Sequence, residues 1–290
     1  MKVGITGSNG FVGKHLMRYL RENTSLDLIE LSRAQGVDVT KFSTLSEAIT
    51  DVDCIIHLAA KTFVPDSFKK PKDFIDVNVG GTTNVLELAR RKNAKVIFLS
   101  SYVYGRPEYL PIDETHKIDM NNPYCASKYI GENVCELYAT AFGLDISIIR
   151  PFNVYGPGQG SDFLIPTILR QVRDGVVTLR DPRPKRDYIY INDLLKLILL
   201  AINIKNTENL EVFNAGLGKS YSIADIINCL KQNSSILDFE VNYTNEYRPN
   251  EVLDTVANMD KVKSYFKWIP QVDLQEGIEK LIEYEIKNLK

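Results

Sequence analysis

A tyrosine and a lysine stand four residues apart in the sequence, at a spacing that could form a proton-transfer pair. Tyr124 and Lys128 follow Pro123, which suits the first turn of a helix, and a four-residue spacing on a helix puts both side chains on one face. An isolated phenol has a pKa of about 10, too high for a base at neutral pH. An ammonium about 4 Å away, at an effective dielectric constant of about 20, contributes about 4 kcal/mol and would lower that pKa by roughly three units before the cost of desolvation is subtracted. We predict that Lys128 tunes Tyr124 for acid–base catalysis; the alternative is a surface tyrosine beside a solvated lysine.

Two serines could supply hydroxyls beside this pair. Ser100 and Ser101 follow the apolar run Lys95–Leu99, which predicts a strand. In open α/β sheets ligands bind at the carboxyl ends of the strands, so a hydroxyl at this point could hold a substrate oxygen against Tyr124. A serine that only caps the following turn is the alternative, and for Ser101 the two interpretations have equal weight.

A glycine-rich segment near the start of the chain has the form of a phosphate-binding turn. Gly7, Gly10 and Gly13 follow a predicted strand and precede a predicted helix. Bare backbone lets a pyrophosphate approach, and the start of the helix, at Phe11 and Val12, supplies unpaired amides and the positive end of a dipole. We predict that these five residues hold a dinucleotide; a glycine-rich turn without a ligand is the alternative.

The end of the second predicted strand decides between NAD and NADP. NAD-binding proteins of this type place an acidic side chain there for the ribose hydroxyls, whereas NADP-binding proteins often place an arginine nearby. Here Ser32 and Arg33 follow the strand, which removes the anion and offers a partner for a 2′-phosphate, so NADP is favoured over NAD. The alternatives are that Glu30 is the acidic group or that Arg33 is a solvated loop charge. Asp38 and Val39 are expected to flank the adenine, unless Asp38 only caps a turn.

The elements that must position these residues alternate in type. Short apolar runs predict strands, and longer segments between them predict helices, which is the pattern of βαβ units. The fold class is therefore α/β, a doubly wound parallel sheet of the Rossmann type with a smaller C-terminal substrate lobe. The predicted strands are 2–6, 27–31, 54–58, 95–100 and 145–149, and the predicted helices lie near 14–22, 44–50, 71–92 and 123–142.

After Arg150 the alternation is interrupted by prolines and a glycine-rich turn, which predicts a second lobe. A strand, helix and strand pattern then returns at 188–191, 192–204 and 211–214. We predict a dinucleotide-binding domain of residues 1–152, to which 187–215 returns, and a substrate-binding lobe of 153–186 and 216–290.

Composition excludes several classes of protein. The chain has 290 residues, of which 35 are Lys or Arg and 37 are Asp or Glu, so there is no basic excess of the kind that binds nucleic acid or an anionic membrane. No apolar run approaches the length of a membrane span and no signal-peptide core opens the chain, so a cytoplasmic location is expected. The four cysteines and three histidines lack the spacing of a zinc site or a disulfide framework, so we expect reduced core thiols and no metal.

Eight motifs in a fixed order resemble one known family. They are GSNGFVG at 7–13, HLAA at 57–60, NVGGT at 78–82, SSYVYG at 100–105, PYCASK at 123–128, RPFNVYGPG at 150–158, RDY at 186–188 and RP at 248–249. Together they are similar to the extended short-chain dehydrogenase/reductase family, which comprises nucleotide-sugar epimerases, dehydratases and reductases. The resemblance extends over nearly the whole chain.

The resemblance implies roles for individual residues. Tyr124 would be the acid–base group, Lys128 would hold the nicotinamide ribose, and Ser100, or Ser101 by a different count, would bind the reacting sugar oxygen. A hydrogen-bonded core role is expected for His57 rather than a catalytic one. The implied cofactor contacts are Leu58, Ala59, Ala60, Asn78, Pro151, Phe152 and Asn153, and the implied substrate contacts are Thr62, Ser100, Asn153, Arg186 and Arg248.

The resemblance also narrows the reaction. Dehydratases of the family carry an Asp-Glu pair where this chain has Ser101 and Tyr102, so dehydration is not expected. The favoured reaction is reduction of a 4-keto-6-deoxy sugar nucleotide with NADPH, and the alternative is 4-epimerisation of a nucleotide-diphosphate sugar with tightly bound NAD. A non-catalytic dinucleotide sensor or scaffold is the alternative of another class. Family members pair two long helices, here 76–92 and 123–142, across a homodimer interface, so a homodimer is expected.

Overall fold

The computed structural model describes residues 1–233, 238–247 and 251–288. The strands of these ranges are β1 (Lys2–Thr6), β2 (Asp27–Leu31), β3 (Cys54–His57), β4 (Lys95–Leu99), β5 (Ile146–Pro151), β6 (Asn153–Tyr155), β7 (Val176–Leu179), β8 (Lys185–Tyr190), β9 (Leu210–Ala215), β10 (Ser220–Ser222) and β11 (Glu240–Tyr243). The α-helices are α1 (Phe11–Asn23), α2 (Phe42–Ala48), α3 (Val64–Lys69), α4 (Pro71–Ile75), α5 (Gly81–Lys92), α6 (Pro123–Phe142), α7 (Leu164–Arg173), α8 (Ile191–Asn203), α9 (Ile223–Lys231), α10 (Asp260–Phe266) and α11 (Leu274–Asn288).

Six parallel strands form the main sheet in the order β2-β1-β3-β4-β5-β9. From β1 the chain moves to one side to form β2 and to the other side to form β3, so a topological switch point lies between β1 and β3. Doubly wound sheets bind ligands in the crevice outside the carboxyl ends of the strands at such a point. The predicted doubly wound parallel sheet is confirmed.

Consecutive residues of the central strands supply two hydrophobic cores. In β3, Cys54 and Ile56 join the core under α1 and α8, whereas Ile55 joins the core under α2, α5 and α6. The alternation follows from the two-residue period of a strand. Because both faces of the sheet are covered, its strands are mostly apolar, which is why their sequences could be recognised.

The helices that carry site residues begin and end for local reasons. The bounds of α6 match the prediction: the Asn122 side chain accepts a hydrogen bond from the Cys125 amide at 2.8 Å, and the left-handed residue Gly143 ends the helix. Helix α1 starts at Phe11, earlier than predicted, because Gly10 already serves as its N-cap. The single helix predicted at 71–92 is α4 and α5 joined by a wider π-type turn, Asp76–Gly80. In the described part of the chain, no helix combines the length and apolar character that crossing a membrane requires.

The second lobe contains a small sheet with the order β10-β8-β6 and a parallel pair, β7 with β11. Strand β8 was predicted to return to the main sheet, and this prediction is wrong because β8 pairs with β6 and β10 instead. The free edge of β5 is taken by β9, which pairs with it from Ile146 opposite Leu210 to Pro151 opposite Ala215. Only one strand can occupy an edge, so the return to the main sheet is made by α8 and β9.

Candidate active site

A cavity of about 700 Å³ opens at the carboxyl edge of the main sheet. Its walls are the glycine loop after β1, the segments after β3, β4 and β5, the start of α6, and part of the second lobe. Most of the residues predicted from the sequence line it. They are Gly7, Gly10, Phe11, Val12, Gly13, Leu58, Ala60, Thr62, Ser100, Ser101, Tyr124, Lys128, Pro151, Phe152, Asn153 and Arg186.

The glycine loop needs glycine at two positions. Gly7 has a φ of +70°, and a Cβ at this residue would lie 2.8 Å from the backbone nitrogen of Ala59. A Cβ on Gly13 would lie 2.2 Å from the Gly7 carbonyl oxygen, so α1 packs directly on the loop. Gly10 is the N-cap of the 13-residue α1 and also lines the cavity. Bare backbone and a helix N-terminus therefore face the cavity together, and these residues fit the pyrophosphate of a dinucleotide.

Tyr124 and Lys128 both line the cavity from the first turns of α6, on the shared face that their spacing predicts. The Tyr124 ring packs edge-on against Phe74, with 6.3 Å between ring centroids. The Lys128 side chain is buried, and its Nζ lies 4.1 Å from the centroid of the Phe98 ring. Each member of the pair is thus packed against one aromatic ring.

Burial shifts the pKa values of both groups in the direction that disfavours charge. It raises the pKa of Tyr124 to about 12, opposed by the Ser101 side chain, and it lowers the pKa of Lys128 to about 8. At neutral pH Tyr124 is a phenol that can donate a proton, and Lys128 is mostly an ammonium. The net shift of the Tyr124 pKa is upward, opposite to the lowering expected from Lys128, because lost hydration of the phenolate is its largest cause.

The two serines have different surroundings. Ser100 donates a hydrogen bond to Glu132 Oε1 at 2.5 Å, so its hydroxyl is directed to the interior. Ser101 Oγ is buried without a well-formed hydrogen bond to any described residue, yet it lies close enough to Tyr124 to lower the pKa of the phenol. Of the two serines, Ser101 is therefore the one whose hydroxyl is placed beside Tyr124, whereas the Ser100 hydroxyl is bonded to Glu132.

His57 lies inside a closed hydrogen-bond chain. Thr82 Oγ1 donates to the Asn78 carbonyl, so it accepts from His57 Nε2 at 3.0 Å. Thr6 Oγ1 accepts from the amide of Leu58 and donates to His57 Nδ1 at 2.7 Å. Burial lowers the pKa of His57 to about 3, so the ring is neutral. These contacts support the core role expected for His57 and fix the start of the segment after β3.

Asn78 and Ala59, which were predicted to bind the cofactor, support the segment after β3 but do not line the cavity. Asn78 accepts from the Lys61 amide at 2.8 Å and donates to the Lys61 carbonyl and to Ser127 Oγ. The Asn78 side chain therefore ties the segment to α6, next to Lys128. Ala59 faces the core under α5, while its neighbours Leu58 and Ala60 line the cavity.

The residues expected around the adenosine lie beyond the cavity walls. Strand β2 ends at Leu31, so Ser32 directly follows it, and Arg33 is exposed. Ser32 donates a hydrogen bond to the Gln35 side chain. Glu30, the alternative acidic group, is ion-paired with Arg21 at 2.5 Å.

The turn that follows is held by its own side chains. Asp38 accepts from the Thr40 amide at 3.0 Å, which lowers the pKa of the carboxyl, so Asp38 does cap a turn. Val39 is buried and packs against Gly81 at the start of α5. Neither residue is placed on the cavity wall.

The second lobe contributes a cation and an amide to the cavity. Arg186 on β8 donates to Glu251 Oε1 at 2.5 Å and to the Val252 carbonyl at 2.6 Å. Asn153 donates to the Asp187 carbonyl at 3.0 Å, which joins β6 to β8. The remaining predicted substrate contact, Arg248, lies outside the described residues.

A buried ion pair lies behind the serines, and no role was predicted for it from the sequence. Arg150 Nη2 donates to Glu132 Oε2 at 2.6 Å, and both side chains are less than a tenth exposed. A signal was available, since Glu132 stands four residues after Lys128 on the same helix face. Tyr102, Gln159, Phe163, Tyr188 and Thr255 also line the cavity and were not predicted.

The cysteines are unpaired, and the acidic side chains of the described residues do not gather into a metal site. All four cysteines are free thiols, and Cys54, Cys125 and Cys135 are buried. In residues 1–233, 238–247 and 251–288, no group of three or more His, Cys, Asp or Glu side chains is arranged to hold a metal ion.

The parallel sheet, the glycine loop and the tyrosine–lysine pair in one cavity define the short-chain dehydrogenase/reductase class. A model of the NAD dependent epimerase/dehydratase family matches residues 3–216, and the chain belongs to this family. The resemblance carried by the eight sequence motifs is therefore confirmed.

Relatives and a solved structure agree with this assignment. A protein of Methanocaldococcus jannaschii with the provisional name UDP-glucose 4-epimerase is 33% identical over 98% of both chains. A GDP-6-deoxy-D-talose 4-dehydrogenase of Aggregatibacter actinomycetemcomitans is 33% identical over 79% of both chains. The structure of RMD from Pseudomonas aeruginosa complexed with NADPH superposes with a TM-score of 0.89 at 26% identity, over 98% of this chain and 99% of that chain.

Proposed function

We propose that this enzyme transfers hydride between NADP(H) and carbon 4 of a nucleotide-diphosphate sugar, acting as a reductase of 4-keto-6-deoxy sugar nucleotides. The observation that carries the proposal is that Ser101, Tyr124 and Lys128 line the same cavity as the glycine loop. A proton-transfer group and a dinucleotide cradle in one cavity suit the coupled transfer of a proton and a hydride. When bound, the dinucleotide supplies the hydride.

The protonation state of Tyr124 favours the reductive direction. Since the pKa of Tyr124 is raised to about 12, the residue holds its proton at neutral pH and is ready to donate it. Reduction of a ketone needs a proton donor at the developing alkoxide, which is the role that a phenol fills. Ser101 would hold the same sugar oxygen, and the Lys128 ammonium would hold the nicotinamide ribose.

The end of β2 supports NADP. The position after the strand is Ser32, Glu30 is occupied by Arg21, and Arg33 is exposed. A 2′-phosphate at this point would meet no carboxylate on the strand end and could pair with the guanidinium of Arg33. Asp38 and Val39 would shape the turn beside it rather than contact the cavity.

The second lobe, proposed as residues 153–186 and 216–290, would bind the sugar nucleotide. Arg186 is the cation that the described part of this lobe presents to the cavity, and planar guanidinium groups pair well with diphosphates. Thr62, Asn153 and Thr255 line the cavity with groups that can hydrogen-bond sugar hydroxyls. Arg248 remains a predicted contact to the same diphosphate.

A 4-epimerase is the second candidate, because the Methanocaldococcus jannaschii relative that is similar along almost the whole chain carries that provisional name. An epimerase keeps one NAD and returns the hydride to the same sugar, whereas a reductase exchanges NADPH at each turnover. The dinucleotide that copurifies with the protein separates them: NADP(H), or none, fits the reductase, and tightly bound NAD fits the epimerase.

The direct test is incubation with NADPH and a panel of 4-keto-6-deoxy sugar nucleotides that differ in base. We expect loss of absorbance at 340 nm with at least one substrate, and the matched control is Tyr124→Phe. Interconversion of a sugar nucleotide without net oxidation of NADPH would replace the reductase with the epimerase. Binding of dinucleotide without any turnover would favour a sensor or scaffold.

We propose that the protein is a homodimer through α6 and the neighbouring α5. Along α6, Ile130, Leu137 and Phe142 are exposed, with Leu137 at 56% and Phe142 at 55%. Apolar side chains on one long helix suit a helix-pairing interface with a second copy of the chain. Sedimentation at micromolar concentration tests this proposal.

A further inference from the structure

A buried cluster of polar side chains lies directly behind the two serines and the tyrosine–lysine pair. Its centre is the ion pair between Glu132 and Arg150, in which Arg150 Nε and Nη2 donate to the carboxylate at 2.6 to 3.1 Å. The exposed fractions of the two side chains are 4% and 7%. Removing two charges from water costs free energy, so a buried ion pair adds little to stability and can have another role.

The ion pair is anchored on the side away from the cavity. Arg150 Nη1 donates to the Tyr104 hydroxyl at 3.0 Å and to the Glu114 carbonyl at 3.2 Å. Tyr104 in turn donates to Asn214 Oδ1 at 2.6 Å. Because Arg150 lies on β5 and Asn214 on β9, the cluster is tied to two neighbouring strands of the main sheet.

On the side of the cavity, the cluster binds the Ser100 side chain, whereas the Ser101 side chain is not bonded to it. Ser100 Oγ donates to Glu132 Oε1 at 2.5 Å, and the Ser100 amide donates to the Ile149 carbonyl at 2.8 Å, which extends the pairing of β4 with β5. Successive side chains of a paired segment point to opposite sides. A Ser100 side chain that is fixed on Glu132 therefore directs Ser101 toward Tyr124.

Glu132 also lies on the same face of α6 as the lysine of the pair. Lys128 and Glu132 are one turn apart on α6, and the negative charge of Glu132 opposes the lowering of the Lys128 pKa that burial causes. The other titratable groups near the ammonium are Cys135 on α6, which opposes the lowering more strongly than Glu132 does, and His57 at the end of β3, which is neutral. Glu132 is thus the nearby carboxylate that favours the charged form of Lys128.

We propose that Glu132 is a positioning residue for the catalytic groups: through Ser100 it sets Ser101 against Tyr124, and as a neighbouring charge it keeps Lys128 protonated. This proposal concerns the site of the proposed function, and its turnover experiment rests on that function. Its two physical claims can be measured without any substrate.

The charge claim is tested by titrating Lys128 in protein labelled with ¹³C at the lysine ε carbon, with Lys128→Arg to assign the resonance. In the unmodified chain the midpoint is expected at about 8. Glu132→Gln should lower it by about one unit, because a neighbouring opposite charge is removed. The matched control is Glu211→Gln, which removes a carboxylate paired with Lys261 at 2.9 Å away from the cavity. An unchanged midpoint in Glu132→Gln would overturn this claim.

The orientation claim is tested with Ser100→Ala, which keeps the ion pair and so remains informative even where Glu132→Gln, with Arg150 left unpaired, fails to fold. In tyrosine-labelled protein, Ser100→Ala should move the Tyr124 resonance in the same direction as Ser101→Ala does. The control Ser147→Ala removes another buried serine bond, 3.0 Å to Asn206, and should leave that resonance unchanged. If the Tyr124 resonance responds to Ser101→Ala but not to Ser100→Ala, the hydrogen bond from Ser100 to Glu132 does not position Ser101.

Turnover then separates positioning from a merely structural role. Ser100→Ala should lower kcat about tenfold with an almost unchanged KM, and Ser100→Thr, which keeps the hydroxyl, should restore it. Full kcat in Ser100→Ala would overturn the positioning role. If no nucleotide sugar reacts with the unmodified chain, the proposed function fails, while the two resonance measurements still decide the inference about Glu132.

Discussion

At the scale of single residues, burial is the dominant influence on the catalytic pair. It raises the pKa of the Tyr124 phenol and lowers the pKa of the Lys128 ammonium, so it disfavours the charged form of each group. The phenol consequently keeps its proton through the whole physiological range, and the lysine titrates close to it. The chemistry of this site is therefore that of a proton donor beside a cation whose charge depends on pH.

The first prediction concerns Tyr124. Replacing it by Phe removes the donated proton while keeping the ring against Phe74, so kcat should fall by about 10²- to 10⁴-fold. Binding of dinucleotide, measured by quenching of protein fluorescence, should stay within about threefold, since the hydroxyl is a small part of that contact. Tyr138→Phe on the same helix is the control. Turnover at the unmodified rate in Tyr124→Phe would remove the tyrosine from the reaction.

The second prediction concerns pH. The folded-state pKa of Lys128 is about 8, so the ammonium is present below pH 8 and is lost as the pH rises through this value. Activity in the reductive direction should therefore fall as pH rises through about 8. Lys128→Arg keeps a charge that does not titrate in this range, so its residual activity should lack this fall. The profile of kcat/KM from pH 6 to 10 is the measurement, and the same fall in both proteins would assign it to another group.

The sequence predicted which residues form the site better than it predicted what surrounds each of them. The Tyr124 and Lys128 spacing and the glycine loop were visible, because each follows from local structure that the sequence encodes. The choice between Ser100 and Ser101 depends on which hydroxyl meets Glu132, a contact across 32 positions of the chain. The pKa of Tyr124 depends on how many atoms from other elements surround it, and spacing holds no information on that.

At the scale of elements, the turn after β2 is the segment that we propose selects between NADP and NAD. Strand β2 ends with Leu31 beside β1. Ser32 follows and donates to the Gln35 side chain, and Arg33 begins a short exposed turn, Arg33–Gln35. A guanidinium on such a turn can approach a phosphate without moving the sheet. Selection between NADP and NAD should therefore be separable from catalysis.

The third prediction follows from this separation. Arg33→Ala should weaken binding of NADPH by about 10- to 100-fold, the range expected for a charge-assisted bidentate pair, and leave NADH binding nearly unchanged. Arg18→Ala, an exposed arginine on α1, is the control. Isothermal titration with both dinucleotides is the measurement. Equal losses for NADPH and NADH would mean that Arg33 does not read the 2′-phosphate.

The fourth prediction concerns the joint that holds β8 in the second lobe. The buried Asp187 carboxylate accepts from the amides of Leu217 at 2.6 Å, Gly218 at 2.9 Å and Ala257 at 3.0 Å. Asp187→Asn turns an NH₂ group toward at least one of these amides, so the free energy of unfolding should fall by about 1–3 kcal/mol. Urea denaturation is the measurement, with Asp174→Asn on the surface as control. An unchanged midpoint would mean that the three amides find other partners.

The elements themselves were predictable to different degrees. Helix α6 was predicted with its observed bounds, because Pro123 and Gly143 mark its ends. Strands β6 and β10 have three residues each, too few to show a period. The partner of β8 could not be predicted, since the apolar pattern of a strand does not say which sheet edge is free.

At the scale of the whole molecule, the cavity exists because one chain builds both of its walls. Helix α6 beside the main sheet supplies Tyr124 and Lys128, and the glycine loop follows β1. The chain then leaves through β6 to β8, where Arg186 lines the same cavity. The chain returns to the main sheet through α8 and β9, so the two parts are linked by several crossings. The distance between a bound dinucleotide and a bound sugar nucleotide is thereby set by the fold.

The fifth prediction concerns assembly. If α6 pairs with α6 of a second copy, Leu137 is buried in the dimer, and Leu137→Lys should place a charge in an apolar interface. Sedimentation velocity at about 10 µM should then show a dimer for the unmodified chain and a monomer for Leu137→Lys. Ile269→Lys, at a site with a similar exposed fraction of 52% in the second lobe, is the matched control and should remain dimeric. Because Tyr124 and Lys128 lie on the same helix, loss of the dimer should also lower activity, and a fully active monomer would show that α6 needs no partner to hold the site. A dimer that persists in Leu137→Lys would move the interface to another face.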